Sequence, residues 1–374
     1  MSIIPWIIFL GLVFALLALD LGVLNRKIHE IHTGEALKWT AFWIALALLF
    51  GVGLYFGYDN HVFGLGLHEG ASESGADAIM LYYTGYFIEK ALSLDNIAVM
   101  AMIFASFKVP LKFQHRVLFW GILGALIMRG VMIGLGAAIV SRFNWVLYIF
   151  GALLVFVAIK STFGKEDEET DPKDKWLTKF MIKHFRYTPE INGMHFIQKI
   201  DGKTFITPLL VCLTVIEVSD VIFAVDSIPA IFGITTDPFI VFTSNIFAIL
   251  GLRSLYFVLA SIIERFKLLK YAIFVILMFV AVKLLIPAGI DVYNYATGSS
   301  IEHPELPVWS SLVVVLISIV FGIVGSIWYD KKHPENETNS EKVNQDNEAQ
   351  SAKSDENADK SESNENADKS ENVE

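Results

Sequence analysis

The chain has 374 residues, of which 54% are hydrophobic, and a mean hydropathy of +0.52; that excess gathers in runs of roughly 20 residues, long enough to cross a bilayer as helices, and excludes an ordinary soluble domain. The net charge of −10 is mostly a tail effect, because residues 331–374 hold 13 Asp and Glu against 6 Lys and Arg, so the acidity says nothing of a nucleic-acid partner, and none is expected. The single cysteine, Cys212, excludes an intramolecular disulfide and any multi-thiolate metal site.

The first apolar run covers residues 3–24. No Lys or Arg precedes it and no small-residue cleavage site follows, so it reads as a retained helix rather than a signal peptide. It ends in Asp20-Leu-Gly-Val. Further runs lie at 39–57, 79–106, 117–140, 144–163, 205–232, 239–260, 271–288 and 307–328. The predicted fold is therefore an all-α polytopic membrane protein with about nine transmembrane helices. Lys and Arg gather in alternate loops: Arg26, Lys27 and Lys38, then Lys108, Lys112 and Arg116, then the loop 164–204, then Arg265, Lys267 and Lys270, then Lys331 and Lys332. Loops 58–77, 233–238 and 289–306 have none. Positive loops stay in the cytoplasm, which predicts the N-terminus outside and the C-terminus inside a bacterial cytoplasmic membrane.

The parts then fall into order. Residues 1–78 give two helices and an outer loop, and 79–163 give a first three-helix unit. Loop 164–204 carries an amphipathic pattern over Lys175–Tyr187, expected to lie in the membrane interface, and an Asp201-Gly202 hairpin turn. Residues 205–288 give a second three-helix unit, and 289–330 an outer loop and the last helix. The tail 331–374, with Glu-Asn-Ala-Asp-Lys-Ser-Glu at 356–362 and again at 365–371, is too polar to form a core.

Two stretches organise the rest. Glu89-Lys-Ala-Leu-Ser-Leu-Asp95-Asn96 and Asp220-Val-Ile-Phe-Ala-Val-Asp226-Ser227 match in register, carboxylate on carboxylate twice. The third run goes outside to inside and the sixth inside to outside, so the match describes a 3+3 inverted-topology repeat, an arrangement typical of secondary transporters. Ionised groups at membrane depth cost several kcal/mol unless paired, hydrated or bound to a cation. Glu89, Asp95, Asn96, Asp220, Asp226 and Ser227 are thus candidate ligands of a hard divalent cation, with Mg2+, Ca2+ and Mn2+ all open. Glu217, Lys90, Arg129, Arg253 and Asp20 are candidate supporting groups. The basic ones either pair with the acids as structural ion pairs or act as internal counter-ions. Lys283 is a further intramembrane base, and Met100 and Met102 read as apolar filler.

Positions six apart on a straight helix point about 240° away from each other. Glu89 and Asp95, like Asp220 and Asp226, therefore serve successive positions along a path, or their helix is broken. Pro229 favours a break in the second unit, since it leaves the carbonyl of Val225 without its donor.

At these residues the chain resembles the TerC family of integral membrane proteins, grouped with LysE-type exporters. The resemblance rests on Asp20-Leu-Gly-Val, on the Glu89 to Asn96 stretch, on Thr207-Pro-Leu ahead of Glu217-Val-Ser-Asp-Val-Ile-Phe-Ala-Val-Asp-Ser-Ile-Pro-Ala, and on Asp237-Pro-Phe-Ile-Val-Phe-Thr-Ser-Asn-Ile-Phe-Ala-Ile-Leu-Gly-Leu-Arg253. Members of its Alx type look like manganese exporters. The resemblance implies Mn2+ as cargo and carries an acidic site onto Glu89, Asp95, Asp220 and Asp226. The expected function is export of divalent cations, coupled to proton entry because ligands must shed protons to bind metal. The alternative is a membrane scaffold or a subunit of a tellurite or metal-stress resistance complex. No Ser/His/Asp set or His-Glu-x-x-His motif occurs, so no enzyme is expected. No resident cofactor is expected either; the partners are the bilayer and the cargo ion, and self-association stays open.

Overall fold

The computed structural model describes residues 3–22, 33–67, 70–72, 74–143, 145–163, 176–189, 193, 195–200, 202–259, 268–302 and 307–332. It is built mostly of helices: α1 (Ile4–Gly22), α2 (Thr33–Asp59), α3 (Gly75–Ser106), α4 (Leu111–Val140), α5 (Val146–Phe163), α6 (Trp176–His184), α7 (Pro208–Phe232), α8 (Pro238–Leu250), α9 (Leu252–Leu259), α10 (Leu269–Thr297) and α11 (Val308–Lys332). One antiparallel hairpin, β1 (Ile197–Ile200) and β2 (Lys203–Ile206), precedes α7. Ile200 pairs with Lys203, and Gly202 in the turn has φ 72°, a left-handed backbone that glycine adopts without strain.

Six helices, α2, α4, α5, α7, α10 and α11, are long and apolar enough to cross a membrane. A seventh span arises if α8 and α9, bent by 43° at Gly251, count as one. Two of the nine sequence runs fall short for separate reasons. The apolar part of α1, Ile4–Leu19, is short. Every 18-residue stretch of α3 contains Glu89, Lys90 and either Asp77 or Asp95, so this helix is too charged to qualify by composition. Yet α3 packs against α2, α7, α8 and α11. Glu89 and Lys90 are tolerable there because protein groups, not lipid, meet them. The outer helices do the reverse and turn large apolar side chains outward, among them Ile7, Phe56, Phe156 and Phe321, far more exposed apolar surface than a water-soluble monomer carries.

The packing has a regular pattern. α3 lies on α8 as α4 lies on α7, while α3 meets α7 and α5 meets α10. A large apolar core joins these helices through Tyr82, Ile88, Ile231 and Phe247. A second core at the other end gathers Ile103, Phe104, Leu209, Val215 and Tyr256 and takes in Met181 of α6 and Ile206 of β2. The short helix and the hairpin are thereby anchored to the bundle. Thr207 ties them further, its hydroxyl donating to the carbonyls of His195 (2.8 Å) and Phe196 (3.1 Å) where α7 begins. Residues 164–175 and 333–374, on which expectations of a basic loop and a polar tail were placed, lie outside the described residues.

The helix break expected at Pro229 is not there. α7 runs unbroken from Pro208 to Phe232, with Asp220 and Asp226 inside it. Pro229 falls in the last turn, where only one backbone bond is at stake and the helix is about to end anyway. The break occurs in the next segment, at Gly251, within what reads in sequence as one apolar run.

Candidate functional site

The helical phase of α3 and α7 sorts the predicted residues into two sets. Seven residues are about two turns, so Glu89 and Asn96 share one face of α3, and Asp220 and Ser227 share one face of α7. All four are buried, at 0%, 3%, 5% and 2% exposure. Asp95 and Asp226 sit one position off those faces; Asp95 is exposed and Asp226 half-buried. The same division appears in both stretches.

At the centre of the buried set is Arg129 of α4, 1% exposed. Its Nε donates to Asp220 Oδ2 at 3.2 Å and its Nη2 to Asp220 Oδ1 at 3.0 Å. Nη1 donates to Glu89 Oε1 and, at 2.8 Å, to Asn245 Oδ1 of α8. Ser227 Oγ stands 3.5 Å from the same nitrogen. A guanidinium has five N–H donors in a rigid fork and cannot be neutralised by losing a proton. Here it takes two carboxylates, one from each matched stretch, so Glu89 and Asp220 are ion-pair partners of Arg129 in this state. Glu89 Oε2 and Asn245 Nδ2 are buried with no hydrogen-bond partner among the described residues. Asn245 is a residue the sequence reading passed over; its signal was a lone amide, after Thr243 and Ser244, in the otherwise apolar stretch 239–250.

Neither Asp95, Asp226 nor Glu217 forms an ion pair among the described residues. Asp226 lies within electrostatic reach of Glu89, Asp95 and Arg129. Glu217 lies one turn before Asp220 and rests against α4 at Gly124, where any Cβ would run into its carboxylate. It borders a small cavity shared with Met100, Asp220, Ile249, Leu252 and Arg253. Lys90 turns away from the arginine cluster and donates to the carbonyl of Ala248 at 2.9 Å. Lys283 of α10 stands 3.5 Å from Ser311 Oγ of α11. Asp20 is near the end of α1, and its side chain lies outside the described residues. Among the described residues no three His, Cys, Asp or Glu side chains converge as a ready metal cage.

Chemically, then, the bundle holds one neutralising arginine between two buried carboxylates, with three further carboxylates around it. At membrane depth a carboxylate without a base is costly unless it is hydrated, protonated or bound to a cation.

Comparison with known proteins agrees with the helical architecture. The family described as "Integral membrane protein TerC family" matches residues 74–334. An uncharacterized membrane protein of Myxococcus xanthus is 40% identical over 338 residues, covering 90% of this chain and 96% of its own. Relatives from Photorhabdus laumondii and Escherichia coli K12 are 40% and 41% identical, covering 89% and 88% of this chain and 97% and 95% of theirs. Both carry the name membrane-bound redox modulator Alx, a provisional assignment for those proteins. No solved structure matches the chain.

Proposed function

The chain belongs to the TerC family of integral membrane proteins, and from that premise we propose that it exports divalent metal cations, Mn2+ foremost, out of the cytoplasm. The observation that carries this reading is the contrast between the two sets of carboxylates. Arg129 neutralises Glu89 and Asp220. Asp95 and Asp226, one from each matched stretch, form no ion pair among the described residues and lie outside the buried faces. A strongly hydrated divalent ion is commonly held by one or two carboxylates while keeping several waters. A two-carboxylate site therefore suits an ion that must also leave, better than a closed cage would. Asn96 and Ser227, expected from sequence as further ligands, belong instead to the buried set with Glu89 and Asp220, and Ser227 faces Arg129. The preference for Mn2+ over Mg2+ or Ca2+ rests on the family resemblance.

In this reading the helices make nine spans, α8 and α9 together forming one, with the N-terminus outside and the C-terminus in the cytoplasm. α3 to α5 and α7 to α10 are the two halves of an inverted repeat. Support comes from the shared burial pattern of the two stretches and from the reciprocal packing of α3 on α8 and α4 on α7. The cargo path lies between the halves, as in other transporters built this way.

A scaffold reading has one observation in its favour: the Arg129 cluster joins α3, α4, α7 and α8 and would hold them together with no transport at all. The redox name carried by relatives finds no dithiol here, since the one thiol, Cys212, is buried in the bundle.

Asp226→Asn and Asp95→Asn separate these readings. Each keeps the side-chain volume and removes one charge from a low-dielectric site. On the transport reading both variants reach the membrane at normal abundance and fail to protect cells from excess Mn2+. Normal abundance with intact tolerance would remove these two aspartates from any essential role, and with them the exporter reading.

A further inference from the structure

α8 and α9 form one apolar segment that turns by 43° at Gly251. A break of this kind interrupts the hydrogen-bond ladder at the C-terminal end of α8, so that carbonyls of its last turn need other donors and carry a concentrated partial negative charge. The N–H of Gly251 satisfies the carbonyl of Ile249. The carbonyl of Ala248 is met by Lys90 Nζ at 2.9 Å, a side chain 158 positions away on α3. The ammonium is held on other sides as well. The Tyr86 ring lies 5.9 Å from it, within cation–π range. At Gly251 an added Cβ would stand 3.0 Å from Nζ and 3.1 Å from Trp43 Cβ, so the glycine keeps open the space that the ammonium fills. No carboxylate among the described residues forms an ion pair with Lys90; its neighbour Glu89 is paired with Arg129.

The carbonyl end of a broken membrane helix is a place where transporters coordinate small monovalent cations. We propose that Lys90 is a tethered cation. Its ammonium occupies a monovalent-cation site formed by the carbonyl end of α8, the Tyr86 ring and the clearing at Gly251. Truncating the side chain vacates a pocket that a free ammonium ion fills best, because it matches the lost head group in charge, size and donors. The site stands on the geometry alone. Its functional consequence, that no Na+ or K+ is needed at this position for transport, rests on the exporter reading.

The test uses full-length protein purified in detergent, with thermal unfolding followed in choline, sodium, potassium and ammonium chloride at equal ionic strength. Wild type unfolds at one temperature in all four salts. Lys90→Ala unfolds lower in choline and recovers progressively with ammonium concentration, as a ligand that binds only the folded form requires. Lys90→Met, which fills the space without a charge, stays low in every salt. A Lys90→Ala response no larger than that of wild type overturns the site. So does a Lys90→Met response as large as that of Lys90→Ala, and so does failure of Lys90→Ala to fold in ammonium as well as in choline. Mn2+ flux in vesicles made from the same preparations separates the two readings. Ammonium rescue of Lys90→Ala stability, with no flux in wild type, leaves the site standing and sinks the exporter. Flux in wild type with no rescue of Lys90→Ala stability sinks the site alone.

Discussion

Arg129 and Asp220 meet through two parallel hydrogen bonds, Nε to Oδ2 at 3.2 Å and Nη2 to Oδ1 at 3.0 Å, between helices that start 97 positions apart in sequence. The fork matches the carboxylate in plane and spacing, the geometry in which such pairs are strongest. It leaves Nη1 to reach Glu89 and Asn245, so one side chain ties four helices. Removing it strands two carboxylates that protein encloses. Arg129→Met is expected to lose roughly 3–5 kcal/mol, the scale for breaking a buried pair, and to fall sharply in membrane abundance. The triple variant Glu89→Gln, Arg129→Met, Asp220→Asn removes all three charges together and recovers much of the abundance. Quantitative blotting of membranes and thermal unfolding in detergent check both statements; an Arg129→Met protein as abundant as wild type would mean the cluster does not hold the helices.

Gly124 and Glu217 give a second prediction. A methyl group at 124 lands on the Glu217 carboxylate, which is the end of a flexible side chain and can swing aside. Gly124→Ala should therefore fold, with Glu217 moved out of the cavity it shares with Asp220 and Arg253. On the exporter reading Glu217 works as a carboxylate beside the path, so Glu217→Gln and Gly124→Ala each lower Mn2+ flux. The double variant is no worse than the more affected single one, because both remove the same placement. Fully additive losses would show that the two residues act independently.

Topology gives a third. Reporter domains fused after Asn60 and after Lys165 should report opposite sides of the membrane, outside for the first and cytoplasm for the second. The same side at both positions would refute the inverted repeat and the count of spans that depends on it.

The fourth concerns coupling. Carboxylates must be deprotonated to hold a divalent ion, so on the exporter reading loading Mn2+ is expected to release protons. Export is expected to slow when the pH gradient across vesicles is collapsed at constant internal pH. Unchanged Mn2+ flux in that experiment would remove protons as the driving ion while leaving the export reading in place.

Much of this molecule is legible along the chain. Each of the nine apolar runs becomes helix, the span 239–260 as the bent pair α8 and α9, since a long apolar segment has nowhere else to bury its backbone polar groups. The spacing of Glu89, Asp95, Asp220 and Asp226 is visible too, and so is the phase argument that sends the members of each pair in different directions. Which carboxylate meets a base is not visible. Arg129 lies 40 residues from Glu89 and 91 from Asp220, and sequence alone allows it to pair with any acid at its depth. Helix packing decides, because it brings Glu89 and Asp220, and neither Asp95 nor Asp226, into hydrogen-bond reach of Arg129. The position of the break was misplaced for a related reason. Pro229 announces itself by its chemistry but falls where α7 is already ending, whereas Gly251 breaks its segment where Lys90 reaches across from another helix to satisfy a freed carbonyl. The sequence by itself determined that this is a membrane helix bundle with carboxylates in two matched stretches. Only the tertiary structure decided which of those charges are neutralised, because pairing in a medium without water depends on what the neighbouring helix places within 3 Å.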